Sequence, residues 1–401
     1  RPDRDLVVAT DTFRVAKNAD VLLGKAEAAL GFPVEIISGR EEARLIYMGV
    51  AHAMNAPALR QLVVDIGGGS TEFIIGERYT PLQLESLHLG CVSHTLRYFP
   101  GGVLDKRGFK EAELAARKEM ETIVAAYTSL GWQQVVGSSG TAKAIADLLA
   151  FNGFNGPGCK PGEITLGGLE RLKDYLQSAK HTNHLHLEGL RPDRVAVLPG
   201  GLAILLAVFR TFCLERMVFS DGALRQGVLY DLLGRHHHED LREATVNQFM
   251  QRYAVDRRQA ARISQTALGL LRQLLPEDSP TYEVESRFLV WAARLHEVGI
   301  FVAHAGHQKH GAYVLANADM PGFSKMNQDR LSRIVLSHRG KLERVQSVTT
   351  EMNDWLLVFC LRLAVVLHRA RGETPSPHIR ILSVKDGFHL LIDENWLKRS
   401  R

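Results

Sequence analysis

Two acids, and the glycines between them, carry the chemistry that this sequence offers. Asp65 closes an apolar run from Leu62 to Val64. Gly67, Gly68, Gly69, Ser70 and Thr71 follow, and Glu72 opens a second apolar run from Phe73 to Ile75. The pattern predicts strand, tight turn, strand. Consecutive glycines let the backbone take positive φ and bring N–H groups close to an anion. The hydroxyls of Ser70 and Thr71 add donors. Asp65 and Glu72 flank the turn and suit a hydrated Mg²⁺, which takes a few carboxylates with phosphate oxygens and water. Phosphate binding is the chemistry expected. An ordinary glycine-rich hairpin is the plain alternative, and the two flanking acids favour phosphate.

The elements that must position this turn follow from patterning. Leu6 to Thr10 reads as a strand. Phe13 to Leu30 reads as one helix with Val15, Ala19, Leu22, Leu23, Ala26 and Leu30 on a broad apolar face, ended by Gly31. Val34 to Ile37 is a second strand. Ser38-Gly39-Arg40-Glu41 fits a capping box that opens a helix to about Met54. Glu41 is then expected to reach back to the cap, which leaves Glu42 as the freer carboxylate. Strands follow at 61–66, 72–76 and 82–89, a short helix at 92–98 and a long one at 109–129. Gln134 to Val136 is a strand, and Gly137 to Thr141 turns into a helix at 142–150. A loop rich in Gly, Asn and Pro covers Asn152 to Gly162. Helices at 168–179 and 201–212, the strand Val218 to Ser220 and a helix opened by Asp221-Gly222-Ala223-Leu224-Arg225 complete this part.

Three antiparallel strands followed by alternating strands and helices is the layout of one ribonuclease-H-like half of the actin, Hsp70 and sugar-kinase fold. Such proteins bind phosphates between two halves. Residues 1–55 read as the second part of a preceding half, without its own hairpin layer and first phosphate turn. His236-His237-His238-Glu239 reads as a polar linker rather than a metal site. From about Leu241 the chain is nearly all helical, with helices expected at 242–253, 256–274, 283–296, 308–316, 326–337 and 352–370. Ile379 to Leu382 and His389 to Ile392 suit a hairpin. The expected fold class is therefore α/β, ribonuclease-H-like, followed by an all-α domain. The expected domains are 1–55, 56–234, 235–375 and a last segment, 376–401.

The 401 residues suffice for two or three such cores, and 45% hydrophobic with 23% charged residues is ordinary for a soluble globular chain. A net charge of +5 suits an acidic ligand. Cys91, Cys159, Cys213 and Cys360 are scattered without a CxxC pair, so neither a disulfide framework nor a zinc site is indicated, and a reducing cytoplasm is the simpler location. No signal peptide is visible, and the longest apolar stretch, Gly201 to Phe209, is too short to span a bilayer. The chain begins at Arg1, without Met and directly before a strand, and reads as a fragment at this end. The last segment reads as truncated too.

Val8-Ala9-Thr10-Asp11-Thr12-Phe13-Arg14, Ile37-Ser38-Gly39-Arg40-Glu41-Glu42-Ala43-Arg44-Leu45-Ile46, the run from Asp65 to Glu72, Gly90-Cys91-Val92-Ser93, Tyr98-Phe99-Pro100-Gly101-Gly102, Ser139-Gly140-Thr141 and Ser220-Asp221-Gly222-Ala223-Leu224-Arg225-Gln226-Gly227 together resemble the exopolyphosphatase / guanosine pentaphosphatase family. The matches recur in order across nearly the whole chain. Gly-Gly-Gly-Ser-Thr-Glu, Phe-Pro-Gly-Gly and Asp-Gly-Ala-Leu-Arg look more like the exopolyphosphatase branch, with the pentaphosphatase branch as the close alternative. The helical region resembles the family's HD-like third domain with a degenerate metal site. Gln259 stands at the first ligand position, His296-Glu297 replaces His-Asp, and Val365 stands at the late Asp. His304, His307, His310 and His338 are then structural, or contacts to an anionic chain.

The resemblance implies Mg²⁺-dependent hydrolysis of a phosphoanhydride. It makes Glu42 the base that activates water and Arg14 a phosphate contact. Asp65 and Glu72 become the acids tied to Mg²⁺ and water, and the N–H groups of Gly67, Gly68, Gly69 and Ser70 the phosphate cradle, with Thr71, Gly140 and Thr141 as further contacts. Lys143 and Arg225 are candidates to guide a polymer, and Arg330, Arg333, Arg339 and Lys341 a candidate basic track. Each has a plainer reading. Arg14, Lys143 and Arg225 suit solvent, Glu42 suits pairing with Arg40 or Arg44, and the arginines of the helical region suit a solvated face. Inorganic polyphosphate is the expected substrate and guanosine pentaphosphate the alternative. A homodimer, cytoplasmic or peripheral to a membrane, without nucleic acid or an integral membrane segment, is what the resemblance suggests. A binding regulator without turnover is the alternative of another class, motivated by the missing first phosphate turn.

Overall fold

A computed structural model describes residues 6–54, 59–236, 240–341, 352–371, 379–384, 387–394 and 398. The chain divides into two compact units, one ending at Glu239 and one beginning at Asp240. The first opens with β1 (Val7–Ala9), which pairs in parallel with β2 (Val34–Ile36). Between them the chain forms two helices, α1 (Asp11–Val15) and α2 (Ala19–Leu30), where one continuous helix was expected. Ala16 is extended and Asn18 takes the cap position of α2, with Asp20 in its first turn, so the helix starts afresh. The expected apolar face is not buried: Val15, Leu22 and Leu30 are exposed. What packs on α2 among the described residues is chiefly α1 and β2, too little to cover that face.

α3 (Gly39–Ala53) follows, then β3 (Arg60–Ile66), β4 (Thr71–Glu77), β5 (Thr80–Leu87), α4 (Cys91–Tyr98), α5 (Lys106–Leu130), β6 (Gln134–Ser138), α6 (Ser139–Phe151), β7 (Glu163–Thr165), α7 (Leu166–Ala179), α8 (Pro192–Val195), α9 (Leu198–Thr211), β8 (Arg216–Phe219) and α10 (Leu224–His236). The six strands from β3 to β8 form one sheet in the order β5-β4-β3-β6-β8-β7. β4 and β5 are antiparallel, β6 and β8 run parallel to β3, and β7 pairs antiparallel with β8. This is the ribonuclease-H-like order expected, with β7 added at one edge. Three residues beside a Gly-rich loop carry too little pattern to reveal β7 in advance.

The sheet is buried on both faces, which is why its central strands read as nearly continuous apolar runs. Leu62, Val64 and Ile66 pack with α5 and α9, whose Met120, Tyr127, Leu202 and Leu206 belong to the same core. Val63, Ile74 and Val136 face the other way and pack against Ala43, Ile46, Tyr47 and Val50 of α3. Gly76 allows this approach, since a Cβ there would stand 2.2 Å from the Tyr47 ring. Alternation then puts Asp65, Glu72 and Ser138, two residues from Val63, Ile74 and Val136 respectively, on that same α3 face.

The second unit packs α11 (Leu241–Arg252), α12 (Arg257–Leu274), α13 (Tyr282–Leu295), α14 (His307–Asn317), α15 (Lys325–Ser337) and α16 (Met352–Leu367) around Trp291, Leu289, Leu271 and Leu361, with a hairpin of β9 (Ile379–Val384) and β10 (Gly387–Ile392). His237, His238 and Glu239 of the expected linker lie outside the described residues. Among the described residues no group of three or more His, Cys, Asp and Glu side chains is placed to hold a metal, and no helix is long and apolar enough to cross a membrane. The four cysteines are unpaired. Arg330 is bound to Asp354 and Glu285, and Arg333 lies 3.8 Å from Asp354, so these two serve the fold rather than an open basic track.

His296, His307 and His338 are buried together, with ring centroids 5.2 and 5.4 Å apart around His338. Nδ1 of His296 lies 2.7 Å from Ala293 O and Nδ1 of His307 lies 3.2 Å from His304 O, contacts that fix their tautomers. Burial holds all three below the ordinary histidine value, His296 down to about 4. Below pH 6.5 the unfolded chain therefore takes up protons before the folded one, and folding stability falls as pH drops toward 4. Amide hydrogen exchange in α13 and α15 should show protection that is full above pH 6.5 and lost progressively toward pH 4. Unchanged opening free energy across that window would contradict this reading.

Candidate active site

Register assembles the site. Asp65 on β3 stands directly opposite Glu72 on β4. Glu72 stands opposite Ser86 on β5, and Asp65 opposite Ser138 on β6. One row across the sheet thus reads Ser86, Glu72, Asp65, Ser138. The next row on the same face is the apolar Leu84, Ile74, Val63, Val136 that seats α3. Each outer serine serves the acid beside it. Ser86 Oγ donates to Glu72 Oε1 at 2.8 Å, and Ser138 Oγ donates to Asp65 Oδ2.

Serine rather than an acid faces Glu72 because of a bulge. Glu77 pairs with Thr80 and Gly76 with Pro81, and continuing that register would set Glu85 opposite Glu72. The register shifts between Ile75 and Gly76, Ser86 takes the place, and Glu85 binds Arg40 at 2.5 Å instead.

α3 brings the third carboxylate. Ser38 Oγ accepts from Glu41 N at 3.2 Å, as the capping signal predicts. The carboxylate of Glu41 pairs with Arg44 through two hydrogen bonds of 2.9 and 2.7 Å, and Arg44 also binds Asp231 of α10 at 2.6 Å. A buried guanidinium needs such partners. Glu42 points to the site, where Arg14 Nη1 donates to its Oε2 and to Ile37 O, both at 2.9 Å. The alternative pairings of Glu42 with Arg40 or Arg44 give way to Arg14. Gly39 lets the helix start press on β5, since a Cβ there would lie 2.5 Å from Ser86 Cβ.

The acids are crowded out of water. Glu72 is 1% exposed and Asp65 6%. Burial first, and then the charges of Glu42 and Asp65, push the Glu72 carboxyl up to about 8, against hydrogen bonds with Ser70 and Ser86. Burial pushes Asp65 up to about 6, against hydrogen bonds with Ser138 and Ser139. Burial also raises Glu42, opposed by Arg14 and supported by Asp65 and Asp11. Near neutrality the row therefore retains a proton on Glu72.

The loop from Gly67 to Ser70 joins β3 to β4, as expected, but its glycines work differently. None takes positive φ. Gly69 permits close approach: a Cβ there would stand 1.9 Å from Asp11 Oδ2. Gly67 N donates to Ser70 O, and the carbonyls of Gly67 and Gly68 accept from Cys91 and Val92 at the start of α4. The Gly67 N–H is thus engaged within the turn, while those of Gly68 and Gly69 have no partner among the described residues. The expected Thr71 donor is also engaged, its hydroxyl bonding Leu89 O, as Thr141 Oγ1 bonds Ile66 O at 2.9 Å.

On the other side of β3, Ser139 takes positive φ (76°) at the turn into α6. Gly140 leaves room for Arg194 of α8, whose Nη2 would lie 2.4 Å from a Cβ at Gly140. Lys143 is exposed and pairs with Asp221 at 3.3 Å, and Arg225 is exposed on α10. The fold therefore joins Arg14, Glu42, Asp65, Glu72 and the glycine turn. Lys143 and Arg225 take no part in the hydrogen bonds and charge contacts of these residues.

Sequence reasoning missed Ser86, Ser138, Asp11 and Arg194. Counting register outward from Asp65 and Glu72 signals the serines, though the bulge shifts the count by one residue. Asp11 and Arg194 lie on short helices with no periodic signal.

A family model described as Ppx/GppA phosphatase family matches residues 3–236, and one described as Ppx/GppA phosphatase, domain III, matches 241–401. This chain belongs to the Ppx/GppA phosphatase family. The "Guanosine-5'-triphosphate,3'-diphosphate pyrophosphatase" of Aeromonas hydrophila is 37% identical over 98% of this chain and 79% of its own length, and that of Pseudoalteromonas translucida 38% identical over 98% and 78%. The crystal structure of an exopolyphosphatase from Cytophaga hutchinsonii, 24% identical, covers 57% of this chain and 74% of its own with a TM-score of 0.50, and shares the fold. As a Ppx/GppA enzyme the chain is a hydrolase of phosphoanhydride bonds.

The buried acids weigh on folding. Glu72 binds a proton more tightly folded than unfolded, so stability falls as pH rises from 4.5 toward 8. Glu72→Gln should raise the melting temperature of the first unit at pH 8, by about 2–4 °C per kcal/mol relieved, and the gain should vanish near pH 4.5. An equal gain at both pH values, or none at pH 8, would contradict this account.

Proposed function

We propose that this chain hydrolyses the terminal phosphoanhydride of guanosine pentaphosphate, releasing orthophosphate, with Mg²⁺. The observation that carries the reading is the meeting of Glu42 with Asp65 and Glu72 beside the glycine turn, in a chain 37% identical over 98% of its length to a relative named for that nucleotide. The sequence motifs favoured inorganic polyphosphate as substrate. The relatives' names favour the nucleotide, and polyphosphate becomes the second reading, supported by Gly-Gly-Gly-Ser-Thr-Glu and Asp-Gly-Ala-Leu-Arg. The cytoplasmic location and the homodimer that the resemblance implies belong to the same proposal.

The residues present suit Mg²⁺. The charges of Glu42 and Asp65 add to burial in raising the proton affinity of Glu72, and a divalent cation relieves that repulsion. Asp65 and Glu72 would hold it, with phosphate oxygens and water completing the shell, since Mg²⁺ does not require a cage of protein ligands. Bound there, the ion neutralises phosphate charge.

The chain's own groups do the rest. The N–H groups of Gly68 and Gly69, without a partner among the described residues, would form the cradle for the terminal phosphate, and Arg14 would offer a planar fork to its oxygens. Burial raises the proton affinity of Glu42 against the pull of Arg14, which suits a base that takes a proton from the attacking water. Phosphoryl transfer needs mainly positioning and charge stabilisation. Arg14 holds Glu42 at one angle, and Ser86 holds Glu72 at another.

Glu42→Ala should lower kcat by about 10²–10⁴-fold while equilibrium binding of guanosine pentaphosphate stays within about threefold. Glu41→Ala should cost stability instead, because it exposes buried Arg44. Loss of turnover in Glu41→Ala with normal turnover in Glu42→Ala would reverse the assignment. Parallel assays on guanosine pentaphosphate and polyphosphate separate the two substrates, and faster turnover of polyphosphate would favour the second reading.

A further inference from the structure

Beyond the support its charge gives to the raised proton affinity of Glu42, Asp11 has no part in the chemistry above, yet it stands inside the site. It opens α1, three residues before Arg14, and its side chain turns back across the glycine turn. Its Oδ2 occupies the space over Gly69 where a Cβ would stand, 1.9 Å away, and its Oδ1 lies 3.6 Å from Arg14 Nη2. Both groups that a terminal phosphate is to meet, the glycine turn and the Arg14 fork, are thus already faced by one carboxylate. Arg14 Nη1 is engaged as well, by Glu42 and by Ile37 O. With Nη2 beside Asp11, the guanidinium enters the resting site with acids on two sides.

We infer that Asp11 is a specificity-determining residue that competes with the substrate phosphate for Arg14 and the glycine turn. The inference rests on the reading of that turn as the phosphate cradle. A phosphate arriving at Gly69 meets the Asp11 carboxylate at van der Waals distance, and like charges at such range repel. Binding therefore requires Asp11 to swing away from Gly69 and release Nη2. A long polyanion with several phosphates, or one accompanied by a divalent cation, brings enough favourable contacts to displace it. A lone orthophosphate brings few. Asp11 thereby disfavours rebinding of the small product relative to the substrate. Side chain and backbone leave it room to move: the Asp11 carboxylate is 17% exposed, and α1 is a single short turn beside the extended Ala16.

The test compares the full chain with Asp11→Asn, which keeps the shape and removes the charge, and with Asp11→Ala, which removes both. Isothermal titration with inorganic phosphate reads the competition without turnover. Both variants should bind inorganic phosphate about three- to tenfold more tightly at low salt, the range of a part-buried charge interaction, with the gain shrinking as salt is raised. Their KM for guanosine pentaphosphate should fall by a smaller factor. Unchanged or weaker phosphate binding in both variants overturns the inference, since Asp11 would then be neutral or would serve to hold Arg14. If the chain turns over neither substrate, the titration still decides: tighter phosphate binding supports the competition while the substrate assignment fails. If phosphate binds neither the variants nor the parent, the cradle reading itself fails and the inference with it.

Discussion

Asp65 and Glu72 face each other across one ladder of a sheet buried on both sides, and the rest of the first unit is arranged to tolerate that pair. Two carboxylates this close and this dry resist simultaneous ionisation. The fold answers with a serine on each outer flank, Ser86 and Ser138, each donating to its neighbouring acid. Slipping either strand by one residue would turn an acid into the α5–α9 core. The apolar row next to the pair, Leu84, Ile74, Val63 and Val136, fixes the register by seating α3. The packing that stabilises the sheet therefore also aligns the acids.

α3 carries a second constraint. Its two consecutive glutamates have divided roles. Glu41 is bound into a buried ion network with Arg44 and Asp231, which ties α3 to α10. Glu42, one residue on and about 100° round the helix, is directed to the acids of the sheet and held by Arg14 from α1. Gly39 and Gly76 are the points of close approach that let α3 lie tightly enough on β4 and β5 for this to happen. The three acids of the site thus come from elements whose placement is set by apolar packing and by missing Cβ atoms.

Much of this is legible in the sequence because residue type and spacing carry it. The strand–turn–strand around Gly67 to Ser70, the cap at Ser38 and the alternation of strands and helices after Leu62 all leave local signals. Asp65 and Glu72 stand out by their place on either side of the glycine turn, and Glu42 and Arg14 only through the family resemblance; the fold brings the four together. What the sequence does not carry is pairing at a distance. Ser138 meets Asp65 across 73 positions of chain, and Ser86 meets Glu72 only through the bulge at Ile75 and Gly76. The break between α1 and α2 hid the turn of Asp11 toward Gly69, because the apolar spacing from Val15 to Leu30 fits one helix as well as two. Positive φ was expected of the glycines and none of the three takes it, while Gly69 makes room for Asp11, a property of neighbours rather than of the segment.

The central claim is that the opposed acids hold a proton at neutral pH which a divalent cation replaces. Proton release on adding Mg²⁺ to the resting protein in weak buffer at pH 7 measures this directly. The account predicts release of about one proton per ion bound, abolished in Glu72→Gln. Mg²⁺ binding without proton release, or release that persists in Glu72→Gln, would contradict it.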